Sequence, residues 1–349
     1  PNSHVQDSGG TDITNVTEVS SGNMHGCARL STNQVRCWGE NGSNQLGNNS
    51  TADTDYAVVV YKDSGTTAVN DIVSISVGQE HACGVTTGAK VRCWGYGTYG
   101  RLGNGGTSNN AYANFVKVDA GTDLTNVSKV YAGNRYTCAV HTDGTASCWG
   151  YDGSGVRGDN SAANNNYAST KVLSSTGPDV ELTGIVSMAV EDSHTVAVLS
   201  DGTARIWGGI VNTQKGAGHT AATIASESMY SNSTPSDATG IAEVALGRFS
   251  SCTRYTNGKV QCVGSGNRYQ MGDNNVGTNQ YLDSDVLKAT LVPIANATQI
   301  SNNGYATCVV TSAKKIRCWG FGTYILMPAG SQTVFKSWMT APLIDKKAI

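Results

Sequence analysis

Residues 25–46 read HGCARLSTNQVRCWGENGSNQL, and two cysteines, Cys27 and Cys37, stand ten positions apart in this stretch. Taken once, such a pair fits a redox motif, half of a metal site or a structural crosslink. The stretch recurs, because the ten cysteines of the chain fall at 27/37, 83/93, 138/148, 252/262 and 308/318. A sixth segment, HTVAVLSDGTARIWGG, carries Val196 and Ile206 at the same two positions. The fold is therefore set by an internal repeat rather than by a single motif.

The repeat is about 56 residues long. The first position of each pair stands at 27, 83, 138, 196, 252 and 308, which gives steps of 56, 55, 58, 56 and 56 residues. Each unit contains four short stretches of alternating or β-branched character and no sustained helical period. Units of four strands predict an all-β fold, a radial β-propeller whose four-stranded blades pack face to face.

The repeats use nearly the whole chain, so we predict a single β-propeller over residues 13–349. Six sequence repeats favour six blades. The alternative is seven, with one blade completed by a terminus or by a neighbouring chain. Residues 1–12 are predicted to form an N-terminal tail that docks on a neighbouring subunit.

A single residue lies midway between the two cysteines of each pair, as Asp143 does between Cys138 and Cys148. If the cysteines face each other across a hairpin, this residue is the centre of an odd-numbered loop, here the three residues Thr142-Asp143-Gly144. The third residue of such a loop adopts the left-handed conformation, which Gly favours and Asn tolerates. Four units carry a suitable residue there: Asn33, Gly144, Gly202 and Gly258. The second and sixth units carry Ala89 and Lys314, so their turns are expected to differ.

Directly opposed residues of an antiparallel hairpin have Cα atoms ~4.5–5.5 Å apart, within reach of a disulfide. We therefore predict five disulfides, which are Cys27–Cys37, Cys83–Cys93, Cys138–Cys148, Cys252–Cys262 and Cys308–Cys318. Two apolar side chains, Val196 and Ile206, fill the same facing positions in the fourth unit. A zinc site is disfavoured because no C-x-x-C spacing occurs. Disulfides favour an extracellular or cell-surface location, with a signal sequence already removed.

Three segments show the repeat most fully: GNMHGCARLSTNQVRCWGENGSNQLG (22–47), GQEHACGVTTGAKVRCWGYGTYGRLG (78–103) and GNRYTCAVHTDGTASCWGYDGSGVRG (133–158). This pattern resembles the regulator of chromosome condensation repeat family, and the resemblance extends from about residue 13 to the C-terminus. It implies a β-propeller, usually of seven blades, that binds a protein partner through one face of the ring. The fourth unit departs furthest from the family pattern, because it lacks the cysteines.

Two sets of recurring side chains have an aromatic-site or metal-site interpretation and a structural one. Five tryptophans precede a glycine at the end of the third strand: Trp38, Trp94, Trp149, Trp207 and Trp319. Their repetition in register favours packing between blades over aromatic binding sites. His25, His81 and His194 stand two residues before the first cysteine position. We predict structural hydrogen bonds for them rather than metal binding or base catalysis.

Two further sets concern the surface. Four tyrosines each follow the second cysteine of their unit by nineteen residues: Tyr56, Tyr112, Tyr167 and Tyr281. They are candidates for an interface, because Tyr is enriched at interfaces, or for bracing of each blade's loop. Four candidate glycan acceptors are Asn15, Asn49, Asn232 and Asn296, if the organism glycosylates.

Composition limits the function. Charged residues make up 14% of the chain and the net charge is −2, which argues against nucleic-acid binding. No apolar run is long enough for a membrane span, and no catalytic, cofactor or metal motif is recognisable. We therefore predict a non-enzymatic extracellular propeller that acts through protein contacts, most directly a self-assembling structural or filament subunit whose partners are copies of itself. The alternatives are a monomeric secreted binding module, inhibitor- or adhesin-like, and a carbohydrate-binding lectin.

Overall fold

The computed structural model describes residues 4–63, 66–161, 163–174, 180–209, 223–228, 239–247, 250–265, 279–285, 294–302, 306–320 and 339–342. These residues form six sheets. The first three sheets lie in one compact unit and the last three in another, with the boundary between residues 173 and 184. The all-β prediction is confirmed, because the described helical structure is a single 3-10 turn at Thr98–Gly100.

The first unit begins with β1 (Val16–Ser21), β2 (His25–Leu30), β3 (Val35–Gly39) and β4 (Thr54–Val59) in one antiparallel sheet. The second sheet holds β5 (Tyr61–Lys62), β6 (Thr67–Ala68), β7 (Ile72–Val77), β8 (His81–Thr86), β9 (Val91–Gly95) and β10 (Asn110–Phe115), in the order β6-β5-β10-β9-β8-β7. The third sheet holds β11 (Val127–Ala132), β12 (Tyr136–His141), β13 (Ala146–Gly150) and β14 (Asn165–Lys171).

The second unit has three four-stranded sheets. Its strands are β15 (Ile185–Val190), β16 (His194–Leu199), β17 (Ala204–Gly208), β18 (Thr223–Ser228), β19 (Ile241–Gly247), β20 (Ser250–Tyr255), β21 (Val260–Ser265), β22 (Asn279–Asp285), β23 (Ala297–Asn302), β24 (Ala306–Thr311), β25 (Lys315–Gly320) and β26 (Met339–Pro342). Strands adjacent in sequence are adjacent in each of these sheets. The predicted four-strand pattern thus holds in both units, and only the second sheet gains a hairpin.

The cysteine pairs are directly opposed residues of the central hairpin in five sheets. All five predicted disulfides are present, and in each the two Cα atoms are 4.1 Å apart. In the fourth sheet Val196 faces Ile206 in the same register, and both side chains are fully buried. A disulfide and a pair of apolar side chains can therefore occupy the same two opposed positions of the central hairpin.

The hairpin turns are more uniform than the sequence predicts. The third loop residue has a positive φ in all six hairpins, including Ala89 (φ 54°) and Lys314 (φ 58°). The expectation that the second and sixth turns differ is wrong. The hydrogen bonds are also shared: the N–H of Ala89 donates to the Thr86 carbonyl, and that of Gly144 donates to the His141 carbonyl. Strand register imposes the turn, and Ala89 and Lys314 accept the backbone strain.

We expect Ala89→Gly and Lys314→Gly each to raise the free energy of unfolding by about 0.5–1 kcal/mol. Glycine reaches the left-handed region without the steric cost of a Cβ, and this gain exceeds its larger unfolded-state entropy. Denaturant unfolding measures the change. Gly144→Ala is the matched control and should destabilise by a similar amount. Equal stability of the wild type and Ala89→Gly would contradict the strain assignment.

Residues 4–13 are not an irregular tail. Gln6 pairs with Asp12, and the N–H of Ile13 donates to the Val5 carbonyl at 3.0 Å. The segment that connects the second and third sheets has the same form, because the Leu124 N–H donates to the Val116 carbonyl at 2.9 Å. The sequences agree as well, since VQDSGGTDITNV (5–16) parallels VKVDAGTDLTNV (116–127). The likeness to the repeat therefore extends back to residue 5, and the boundary at residue 12 stays a prediction.

This N-terminal hairpin contacts the outer strand of its own first sheet. The Ala57 N–H in β4 donates to the Gln6 carbonyl at 2.7 Å. In the third sheet the Ala168 N–H of β14 donates in the same way to the Lys117 carbonyl at 2.8 Å. Outer strand edges are covered by this contact, which limits unwanted edge pairing. Docking of the tail on a neighbouring subunit stays a prediction.

Neighbouring sheets within the first unit are joined by a repeated polar contact. The Glu18 carboxylate of β1 accepts the Ile75 N–H of β7 at 3.2 Å, and the Ser20 hydroxyl accepts the Val77 N–H at 3.0 Å. The sheets approach closely where each repeat begins, because a Cβ on Gly22 would lie 2.0 Å from the Gly78 carbonyl oxygen. Glycine at this position is therefore a packing requirement.

The described ranges include no helix long and apolar enough to cross a membrane.

Candidate interaction surface

Five side chains on the loops of the second and third sheets form a group that we call the tyrosine–arginine patch: Tyr96, Tyr99, Arg101, Arg135 and Tyr151. Tyr96 directly follows β9, and its N–H donates to the Glu80 carbonyl at 3.0 Å. Tyr151 directly follows β13, and its N–H donates to the Arg135 carbonyl at 3.1 Å. The repeat thus brings the loop before each second strand against the loop after each third strand.

The patch is held together by cation–π and ring contacts. The Arg101 guanidinium carbon lies 4.7 Å from the ring centroid of Tyr96 and 5.9 Å from that of Tyr99. The Arg135 guanidinium carbon lies 5.2 Å from the Tyr151 centroid. The Tyr99 and Tyr151 rings meet edge-on, with centroids 5.2 Å apart and planes at 61°. Such contacts fix the rings and leave their outer edges to solvent.

Arg101 anchors the patch in the fold. Its side chain is only 2% exposed, and its Nε donates to the Thr98 carbonyl at 3.0 Å while Nη1 donates to the Asn134 carbonyl at 2.7 Å. Glu80 lies 3.7 Å away and offsets its charge. The Arg101 carbonyl in turn accepts the Trp149 indole N–H at 2.9 Å. Burial lowers the pKa of Arg101. The patch is therefore preorganised, which reduces the entropy cost of binding.

Tyr99 is the strained member. It lies inside the 3-10 turn with φ 66° and ψ 4°, a left-handed conformation that is rare for an aromatic residue. Its side chain is 36% exposed. Backbone strain of this kind is concentrated at functional sites, because stability alone would replace the residue with glycine. Tyr99 is therefore an exposed, strained tyrosine in contact with Arg101 and with the Tyr151 ring.

The three histidines have structural positions. The His81 ring Nε2 lies 2.8 Å from the Thr137 hydroxyl on the next sheet, and His194 Nε2 lies 3.1 Å from the Ser251 hydroxyl. The structural prediction is confirmed for these two. His25 differs, because Ala82 occupies the place of the hydroxyl partner and no described group bonds its ring nitrogens. Burial lowers the pKa of His25 and of His194 to about 4 and that of His81 well below 6.5.

The tryptophans also behave as predicted. Trp94, Trp149 and Trp207 are fully buried and Trp319 is nearly so, whereas Trp38 is partly exposed. Trp149 packs in a core that joins the second and third sheets. These rings fill the space between sheets and do not form binding sites.

None of the three described tyrosines of the predicted interface set belongs to the patch. Tyr56 is 37% exposed on β4, and Tyr112 is partly buried. The Tyr167 ring packs on the loop of the preceding sheet, because a Cβ on Gly105 would lie 2.5 Å from its hydroxyl oxygen. The structure favours bracing at Tyr167. The side chain of Tyr281 lies outside the described residues, and an interface role for the set stays a prediction.

Two of the predicted glycan acceptors, Asn15 and Asn49, adopt positive φ angles in turns. Asn296 precedes β23, and Asn232 lies outside the described residues. Glycosylation of these residues stays a prediction.

Sequence comparison identifies the repeat. The family model "Regulator of chromosome condensation (RCC1) repeat" matches residues 16–45 and 72–101, and a second model of this repeat matches 90–140. The human E3 ubiquitin-protein ligase HERC2 is 26% identical over 204 residues, 58% of this chain and 4% of HERC2. The Arabidopsis thaliana ultraviolet-B receptor UVR8 is 27% identical over 191 residues, 54% of this chain and 40% of UVR8. The chain thus spans less than half the length of these relatives.

The solved structures give the same fold. Yeast RCC1 (Prp20), in a crystal structure with Kap60 bound, superposes with a TM-score of 0.69 at 15% identity, covering 93% of this chain and 74% of that one. The described strands are therefore all-β, with a fold like that of the yeast RCC1 propeller. Residues 16–45 and 72–140 match the regulator of chromosome condensation repeat.

Proposed function

We propose that this protein is a non-enzymatic binding module that acts through protein–protein contacts, with the tyrosine–arginine patch as its contact surface. The observation that carries the proposal is the exposed, strained Tyr99, whose ring contacts Arg101 and the Tyr151 ring. Tyrosine and arginine are the residue types that dominate binding hot spots, and preorganised rings bind at low entropy cost. The repeat family supports the same role, since the yeast relative has Kap60 bound.

The preferred partner is another copy of the chain, in a structural or filament-forming role. Charge along this face changes sign, from exposed Glu40 beside the first sheet to Arg135 beside the third. Two copies related by a two-fold axis would place Glu40 of one copy near Arg135 in the patch of the other. A monomeric secreted binder is the alternative, and glycans or other proteins are then its partners.

Its proposed location is extracellular or at the cell surface. Five crosslinked hairpins leave no free cysteine, and such a set persists in an oxidising environment. The six repeats of the sequence are proposed to be six blades of one propeller.

Light scattering across a concentration series tests self-association. We expect the wild type to form oligomers and Tyr99→Gly to be monomeric, because glycine removes the ring from the contact surface. The variant should also be slightly more stable than the wild type, since it relieves the left-handed strain. A loss of assembly together with a gain in stability is not explained by misfolding.

Val73→Ser is the control, because Val73 is 41% exposed but lies on β7, outside the patch. It should assemble like the wild type. Monomeric wild-type protein at every concentration would contradict self-assembly. Equal assembly of Tyr99→Gly would remove the patch from the mechanism.

A further inference from the structure

In the first sheet, the loop after the third strand contains a polar pair, buried Asn41 and partly buried Asn48. Asn41 donates through Nδ2 to Asn48 Oδ1 at 3.0 Å, and its own Oδ1 accepts the Leu46 N–H at 3.0 Å. Leu46 is fully buried in the core between the first and second sheets. The second sheet keeps a buried leucine, Leu102, at the corresponding place.

The third sheet replaces all three side chains with charged ones. The loops are aligned on the tryptophan that precedes the last glycine of the third strand, Trp38 in the first sheet and Trp149 in the third. In this alignment Asp152 replaces Asn41, Arg157 replaces Leu46 and Asp159 replaces Asn48. The Arg157 N–H donates to Asp152 Oδ1 at 3.0 Å, which preserves the loop's backbone contact.

The new side chains form a buried charged triad. Arg157 Nη2 donates to Asp159 Oδ2 at 2.7 Å, and its Nε lies 3.3 Å from Asp152 Oδ2. The exposed fractions of the Arg157, Asp152 and Asp159 side chains are 1%, 0% and 6%. Buried ion pairs seldom stabilise a fold more than the apolar residue they replace. Three coordinated replacements at one loop therefore indicate a function other than stability.

Two donors of the triad lack a hydrogen bond. No described group accepts one from Arg157 Nη1, and Arg157 Nε has only its ion-pair contact with Asp152. A buried guanidinium N–H without an acceptor is costly, so a ligand or ordered water is expected to supply the acceptor.

A cavity of about 550 Å³ has Arg157 in its wall. Its wall includes Arg157, Asp159, Asn164, Lys171 and Glu181, together with hydroxyl groups of β14. Volumes of about 300–1,000 Å³ are typical of small-molecule sites. Lys171 and Glu181 form an ion pair across the wall, so the lining has two cations and two anions.

We propose that this cavity binds a neutral, hydroxyl-rich ligand, namely a hexose unit of a glycan. Balanced wall charges give no net attraction to an anion or a cation. A hydroxyl group can accept from the Arg157 guanidinium and donate to a carboxylate, so both charge types in the wall are used. This site is separate from the tyrosine–arginine patch and goes beyond the protein-contact function.

Titration calorimetry with glucose, galactose, mannose and N-acetylglucosamine tests the proposal on the full chain. We expect at least one of the four to bind the wild type. Arg157→Leu should weaken that binding about tenfold to a hundredfold, because it removes a charge-assisted hydrogen bond. Leucine at this place is what the first two sheets carry, so the variant is expected to fold.

A triple variant, D152N/R157L/D159N, gives the third sheet the three residue types that the first sheet carries at these positions, and it removes every charge of the triad. It should bind none of the sugars and unfold at a temperature no lower than the wild type. Tyr99→Gly is the control and should bind sugar normally, while Arg157→Leu should oligomerise normally. Failure of all four sugars to bind the wild type, or undiminished binding by the triple variant, would overturn the proposal without affecting the protein-contact function.

Discussion

Replacing Cys138 and Cys148 by valine and isoleucine is expected to lower the free energy of unfolding by about 2–3 kcal/mol. The disulfide closes a short loop and restricts the unfolded chain, whereas the folded packing is retained. The chain itself contains the evidence for retained packing, because Val196 and Ile206 fill the equivalent opposed positions in the fourth sheet. Denaturant unfolding of the two proteins without reductant measures the difference.

The matched control is the double alanine variant of the same pair. Both cysteines are fully buried, so alanine removes the bond and also leaves a cavity. We expect a larger loss than for valine and isoleucine, by about 1–3 kcal/mol. A strong reductant should lower the unfolding free energy of the wild type by several times the loss from a single disulfide, because it breaks five disulfides. A valine–isoleucine variant as stable as the wild type would show that the crosslink does not stabilise the fold.

Cysteine spacing predicts the hairpins well, for a physical reason. A separation of ten centres each pair on a three-residue loop, and only one antiparallel register then makes the two residues directly opposed. Val196 and Ile206 extended the argument to a unit without cysteines, and the structure has them opposed. Periodicity of this kind is local, so a single sequence is sufficient to recognise it.

Contacts between repeats are less accessible to sequence reasoning. The turns at Ala89 and Lys314 look unfavourable by residue type, yet the flanking strands impose the common geometry. The N-terminal hairpin had a visible signal in the likeness of 5–16 to 116–127, but that signal lies outside the cysteine motif.

The candidate sites were harder still to predict. Tyr96 and Tyr151 share a position after Trp-Gly, which marks a common loop but not a common surface. The patch also needs Tyr99 and the arginines, whose proximity depends on how the second sheet packs on the third. Arg157 is visible as a departure from leucine, but its two aspartate neighbours and the cavity emerge only in three dimensions.

Acidification from pH 6.5 to about pH 4 is expected to destabilise the protein strongly. Burial lowers the folded-state pKa of His25 and His194 to about 4, against about 6.5 in an unfolded chain. The unfolded state therefore binds more protons in this window, and stability falls as the pH falls. Each group contributes about 1.4 kcal/mol per pH unit, so these two histidines remove about 4 kcal/mol at pH 5. His81 acts in the same direction, because burial and the nearby Arg101 charge lower its pKa.

One buried carboxyl opposes this trend. Burial raises the pKa of Asp152 to about 7, so the folded state holds that proton more tightly and gains stability as the pH falls below 7. The unfolding free energy gained at Asp152 is about as large as that lost at one of the two histidines. Turn aspartates such as Asp143 have pKa values lowered by backbone and side-chain hydrogen bonds from Thr145, so they also lose stability as the pH falls, from about pH 5 downwards.

A single substitution separates the histidine effect from the carboxyl effect. His194→Gln keeps a donor for the Ser251 hydroxyl but takes up no proton, so it should flatten the dependence of unfolding free energy on pH by about 1.4 kcal/mol per unit between pH 6.5 and 4. The difference between wild type and variant cancels Asp152, since both proteins retain it. Parallel stability curves for the two proteins would mean that the folded and unfolded states bind protons equally at His194, and this histidine would then not be a source of acid lability.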